Sequence, residues 1–254
     1  MNTQAVKAYL DGPFQQIQGW CTPHLWQVIQ PLAEALSAKG IRNPIAEIGV
    51  YHGKFFIGLA LTMGAQLNHA FDVFSMQKFN LDKAGHGSLD IVRRNVALAG
   101  LPPDALVPVE GDSTAIRADE IDRIRAKTGG FSMFSVDGCH LVEHTVNDTR
   151  IAMRMTVPEG IIFVDDYTNP SWPGVQEGIA RLFLFDTPVF VPCAVTCNKL
   201  VLCHISHHAE YLDAIRAFLK AKFPQTGVKL VKRFGYDTLT VTPRFASVDY
   251  VAAE

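Results

Sequence analysis

A short apolar run at residues 45–48 ends in Gly49, and a second glycine, Gly53, follows four positions later with Glu47 just upstream. An apolar run that stops at glycine and is followed by a further apolar stretch at 54–63 reads as strand, tight turn and helix. The turn Glu47-Ile48-Gly49-Val50-Tyr51-His52-Gly53 has the order ExGxxxG. Its glycines let the backbone bend sharply and approach a ligand without a Cβ in the way. Glu47 adds a negative charge suited to an ammonium group. A dinucleotide fingerprint spaces its glycines as GxGxxG, so this turn is a poor pyrophosphate cradle.

The same alternation runs along the chain. Ahead of the turn, 24–39 has helical spacing and stops at Gly40. After it come a strand at 69–74, a helix at 88–99, a strand at 106–110, a helix at 116–127 and a strand at 131–136. A helix at 141–155 then leads through Pro158-Glu159-Gly160 into a strand at 161–164. Next are a helix at 174–185, a hairpin at 188–205 joined near Cys197-Asn198, a helix at 207–222 and a last strand at 236–242. Alternation of this kind favours a parallel sheet covered by helices. The expectation is an α/β, Rossmann-like, doubly wound and mostly parallel seven-stranded sheet with a C-terminal antiparallel hairpin and helices on both faces.

With 254 residues, 48% of them hydrophobic, one sizeable core is affordable. Residues 1–254 therefore read as a single domain, a helical segment at 1–43 preceding a core at 44–254. A formal charge of −2 gives no broad field for nucleic acid or acidic lipid. No apolar run is long enough to cross a membrane and no export signal precedes the first helix. The scattered odd set Cys21, Cys139, Cys193, Cys197 and Cys203 lacks a CxxC pairing and reads as buried or turn thiols. A cytoplasmic protein acting on a small molecule is expected, and a homo-oligomer is compatible with that.

The ExGxxxG turn resembles the first motif of class I S-adenosylmethionine-dependent methyltransferases. Late antiparallel strands on a parallel sheet also distinguish that fold from an ordinary dinucleotide fold. In that family an acid ending the second strand bonds both ribose hydroxyls, which Asp72 would do here. A polar group after the third strand meets the adenine amine, implying a role for Gly111-Asp112-Ser113. The resemblance thus implies a cofactor site of Glu47, Gly49, Val50, Tyr51, Gly53, Asp72, Val73, Asp112, Ser113 and Asp137.

Asp137 ends the fourth strand and Asp165-Asp166 the fifth, so adjacent parallel strands would bring these acids to one rim. Without a nearby Lys or Arg they would repel, and either a cation neutralises them or some take up protons. Hard oxygens suit magnesium, calcium or manganese. His140, three residues after Asp137, could face the same crevice and remove a proton from a hydroxyl near neutral pH. The arrangement is similar to metal-dependent O-methyltransferases of the catechol and macrocin types, over roughly 45–185. The catechol type has lysine as base and an acidic-amide pair, where this chain has His140 and Asp165-Asp166.

The expected metal ligands are Asp137, Asp165 and Asp166, with His140 and Asp137 catalytic. The acceptor would be a small hydroxylated molecule such as a sugar or natural-product intermediate. Trp172, Tyr167 and loop 168–173 could wall the acceptor site, and 75–87, with Met76, Phe79 and His86, could form a lid. A metal-independent methyltransferase, a non-catalytic cofactor-binding assembly protein and an NAD-dependent oxidoreductase are the competing readings.

Overall fold

The computed structural model describes residues 3–64 and 66–243. Helices α1 (Thr3–Asp11), α2 (Pro13–Gln16) and α3 (Trp26–Ala38) precede strand β1 (Ile45–Ile48). Then come α4 (Lys54–Met63), β2 (Asn68–Asp72), α5 (Leu89–Leu98), β3 (Leu106–Glu110), α6 (Ala118–Thr128) and β4 (Phe131–Val136). The chain continues with α7 (Val142–Met155), β5 (Thr156–Val164), α8 (Pro173–Phe185), β6 (Phe190–Thr196) and β7 (Lys199–His204). It closes with α9 (His208–Lys222), β8 (Gly227–Arg233) and β9 (Tyr236–Thr242).

The strands form one sheet in the order β3-β2-β1-β4-β5-β7-β6-β9-β8. Strands β1 to β5 are mutually parallel, and β7 enters antiparallel to both β5 and β6. The chain winds outward from β1 to β3, then reverses to β4 and β5 on the other side. A crevice therefore opens beyond the carboxyl ends of β1 and β4, the switch point where α/β sheets take ligands.

The doubly wound architecture agrees with expectation; the strand count does not. Nine strands are present among the described residues where seven were expected. Strand β8, GVKLVKR, is mostly exposed and carries three basic residues, so its alternation is weak. Among the described residues it pairs only with β9, which itself runs parallel to β6. Pro158-Glu159-Gly160 is not a separate turn but part of β5. Phe131 faces Thr156 while Met133 faces Ile161, so an irregular bulge absorbs the proline and glycine.

One apolar cluster gathers Tyr9, Phe14, Trp26, Phe56 and Tyr211 on one side of the sheet. The other gathers Phe71, Phe134, Ile151, Met155 and Ile179. Trp26 lies across Gly58 of α4, where a Cβ would come within 2.4 Å of the indole. Its Nε1–H donates to Thr62 Oγ1 at 3.1 Å. Tyr9 O–H donates to Lys54 O at 2.6 Å. These contacts pin the N-terminal helices behind the glycine turn and bring residues 19–25 to the crevice. Cys193 and Cys203 are buried in the β6–β7 hairpin and Cys197 lies in its turn, all unpaired. No helix among the described residues is long and apolar enough to cross a membrane.

Candidate active site

The glycine turn is shaped by contact between strand ends. Gly49 has φ +83°, and a Cβ there would lie 1.7 Å from Asp137 O. Backbone bonds from Asp137 N–H to Ile48 O (2.8 Å) and from Gly49 N–H to Phe71 O (2.8 Å) join three strand ends. Tyr51 is also left-handed, φ 52°, and Gly53, φ +84°, starts α4. Asp72 spans the next gap, accepting from Tyr51 N–H and Phe74 N–H, each at 2.8 Å. Burial raises its pKa, although these backbone donors favour the charged form.

Beyond these turns lies a cavity of about 790 Å³. Glu47, Gly49, Val50, Tyr51, Asp72, Val73, Ser113 and Asp137 line it, whereas Gly53 and Asp112 do not. Gly53 contributes backbone shape alone. The Asp112 carboxylate caps its own turn, accepting from Thr114 N–H at 2.9 Å and Thr114 Oγ1–H at 2.8 Å. Glu47 is 2% exposed. Burial pushes its carboxyl up to about 8 despite the nearby Lys199 charge, so near pH 7 it is largely a neutral acid rather than the expected anion.

The acidic rim contains a cation that sequence spacing concealed. The antiparallel register sets Val164 opposite Leu200, carrying Lys199 to Asp165, with which it forms a buried ion pair. The Lys199 ammonium also sits 4.4 Å from the Phe55 ring centroid. Burial opposes its charge, but Asp165 and Asp137 hold its pKa above the ordinary lysine value. Burial, followed by the charge of Asp165, drives the Asp137 pKa well above the carboxylate range. The premise of acids without a basic neighbour therefore fails. Asp165 is occupied by Lys199, and the ligand atoms that converge within 4.8 Å belong to Asp137, His140 and Asp166.

His140 is 9% exposed and faces carboxylates on both sides. Asp82 Oδ2 accepts from its backbone N–H at 2.8 Å and lies 2.6 Å from Nδ1. On the other side Nε2 lies 2.9 Å from Asp166 Oδ2, in an ion-pair contact whose angle is poor for a hydrogen bond. Burial lowers the imidazole pKa, but the contacts with Asp166 and Asp82 outweigh it and raise the value to about 9. The same pairing holds Asp82 at about 2 against its own burial. His140 is thus an imidazolium at rest, not the neutral base expected from its position.

The surrounding loops close the cavity. Trp172 stacks on His140 at 4.3 Å and lines the cavity, whereas Tyr167 is 3% exposed and packs in the core. Asp166, φ 54°, is held by Asn169 Nδ2–H at 2.8 Å and by the Asn198 amide. The loop after β2 covers the opposite wall. Phe79 lines the cavity, but Met76 and His86 do not; Asp82 of this loop also lines it and reaches His140. No motif marks Asp82 in the sequence, because its partner lies 58 positions away. Trp20 packs at a tilt against Tyr51, ring centroids 5.2 Å apart, and completes the rim.

Residues 46–167 match a family model described as a methyltransferase domain. Comparison with curated proteins gave no significant match. Among solved structures, the O-methyltransferase NovP resembles the chain with a TM-score of 0.57 at 12% identity, over 78% of this chain and 99% of that one. MycE methyltransferase from the mycinamycin biosynthetic pathway, solved with Mg and S-adenosylhomocysteine, gives 0.51 at 16% identity, over 80% of this chain and 55% of that one. A second MycE structure, which also holds mycinamycin VI, gives 0.50 at 16% identity, over 80% of this chain and 54% of that one. At these identities the likeness is one of fold.

Proposed function

We propose that this chain, whose residues 46–167 match a methyltransferase-domain family, is a class I S-adenosylmethionine-dependent O-methyltransferase acting on a hydroxyl of a small molecule such as a sugar or natural-product intermediate. The observation that carries this reading is one cavity holding both the glycine turn with Asp72 and, beside them, Asp137, His140 and Asp166. The likeness in fold to NovP, an O-methyltransferase, and to MycE, a methyltransferase of the mycinamycin biosynthetic pathway, supports it. On the same reading the protein works in the cytoplasm on a small hydroxylated acceptor, without a nucleic-acid or membrane partner.

The cavity, about 790 Å³, falls in the range of small-molecule sites, ~300–1,000 Å³. Asp72 would receive the ribose hydroxyls, for which its two oxygens keep spare lone pairs. Bound there, the cofactor supplies an electrophilic sulfonium methyl; the hydroxyl oxygen forms the new C–O bond as the C–S bond breaks, giving a methyl ether and S-adenosylhomocysteine. The hydroxyl proton passes to Nε2 of His140, once that nitrogen is unprotonated and its contact with Asp166 has given way to the acceptor. Trp172 keeps the imidazole plane in place and shields it from water.

Asp137 and Asp166 fit a hard divalent cation such as Mg²⁺, and the Mg in MycE supports one. When bound it would neutralise both carboxylates and acidify a neighbouring hydroxyl. A metal-free reading also has support, since Lys199 already supplies one positive charge to the acidic rim.

Thermal unfolding with S-adenosylhomocysteine, NAD and Mg²⁺, each alone and with chelator, tests these assignments. S-adenosylhomocysteine should raise the melting temperature, by ~2.7 kcal/mol of apparent stability at a hundredfold excess over Kd, while NAD leaves it unchanged. Stabilisation by NAD alone would defeat the methyltransferase reading. If Mg²⁺ neither binds nor, after exhaustive chelation, proves needed for turnover in a hydroxyl-acceptor screen, the metal-free form is correct.

A further inference from the structure

The loop at 77–88 touches both halves of the cavity. Gly87 packs on the Asp72 carboxylate so closely that a Cβ would lie 2.7 Å from its oxygen, and Gly85 lies against the Tyr51 ring. Five residues before Gly87, Asp82 turns inward with its side chain only 6% exposed. One of its oxygens, Oδ2, serves both the backbone N–H and Nδ1 of His140. The other accepts from Ala84 N–H at 3.0 Å, and Asn80 Nδ2–H donates to Gly85 O at 2.5 Å, so the loop carries its own bracing. A carboxylate at 2.6 Å from Nδ1 requires that nitrogen to carry the proton. That leaves Nε2 as the nitrogen that can exchange a proton with an acceptor, and Nε2 is the atom turned to the acidic side of the cavity.

We propose that Asp82 is a positioning residue carried by the lid: it fixes the His140 imidazole with Nδ1–H bound and Nε2 presented to the acceptor, so that the base is aligned only when the loop is closed over the cofactor. This rests on the methyl-transfer reading and deepens it. Loop closure and base alignment become a single event because one carboxylate makes both contacts. An open loop would leave the ring held by its stack on Trp172 and its contact with Asp166, neither of which keeps the proton on Nδ1.

Nuclear magnetic resonance of the full-length protein labelled with ¹⁵N-histidine tests this, with the His140 signals assigned by their loss in His140→Gln. The wild type should show a protected downfield Nδ1–H proton, and S-adenosylhomocysteine should slow its exchange further. Asp82→Ala should abolish that signal and speed S-adenosylhomocysteine dissociation about tenfold or more, the effect of one charge-assisted hydrogen bond. Asp82→Asn, which retains an oxygen acceptor and the loop's shape, should keep the signal but move it upfield, and should restore slow dissociation; it carries the test if the alanine variant does not fold. An Nδ1–H signal unchanged in either variant, or one indifferent to S-adenosylhomocysteine in the wild type, overturns the proposal. Failure of the wild type to bind S-adenosylhomocysteine would instead remove the methyltransferase reading, while the ring signals measured without ligand still report whether Asp82 orients His140.

Discussion

At the scale of single residues, Glu47 and Asp137 show how burial changes what a carboxyl does. Glu47 belongs to a glycine signature legible in the sequence, but its charge state depends on atoms from other strands. Its carboxyl, ordinarily near 4.5, is raised to about 8 by burial. A raised acid binds a proton in the folded state where the unfolded chain has released it. Stability should therefore fall as pH rises from about 4.5 to about 8 and level off above, by at most ~1.4 kcal/mol per pH unit from this group. Glu47→Gln should flatten that part of the curve. Urea denaturation midpoints across this range, compared between the two proteins, check it; parallel curves would show that Glu47 does not titrate there. Gly49 is a different case, because ExGxxxG spacing identified its role and the contact with Asp137 O supplies the steric reason.

Among the elements, the β6–β7 hairpin does more for the site than its place late in the chain implied. Its two-residue turn is left-handed at both Cys197 (φ 45°) and Asn198 (φ 72°), the backbone twist that tight hairpins favour. That turn starts β7 at Lys199 and aims the ammonium at Asp165. Asn198 also accepts from Thr168 N–H at 3.1 Å and Thr168 Oγ1–H at 2.8 Å while its amide holds Asp166. Asn198→Gly keeps the turn conformation but deletes these bonds, whereas Asn198→Ala also strains the turn. The glycine variant should lose ~1–2 kcal/mol of stability and weaken Mn²⁺ binding several-fold, and the alanine variant about 1 kcal/mol more. Calorimetry and chemical denaturation read both; equal Mn²⁺ affinity in all three proteins would separate the hairpin from Asp166. A turn at Cys197-Asn198 was readable in the sequence, but the ion pair depends on antiparallel register, which no local pattern specifies.

For the molecule as a whole, the N-terminal helices and the core act as one unit. Tyr9, Leu10 and Phe14 are at most 2% exposed, and Tyr9 is bonded to the first residue of α4. Deleting residues 1–16 should cost on the order of 5 kcal/mol and weaken S-adenosylhomocysteine binding, because the segment at 19–25 loses its anchor over the crevice. A truncated protein with unchanged melting temperature and affinity would show instead that the segment is a separate appendage. The sequence by itself determined the strand-helix alternation, the glycine turn and the carboxylates at successive strand ends, because these follow from short-range periodicity and backbone sterics. Only the tertiary structure decided that Lys199 neutralises Asp165, that Asp82 grips His140 and that Glu47 is uncharged near neutrality. Those outcomes depend on contacts between residues 34, 58 and 88 positions apart, and on the burial those contacts create.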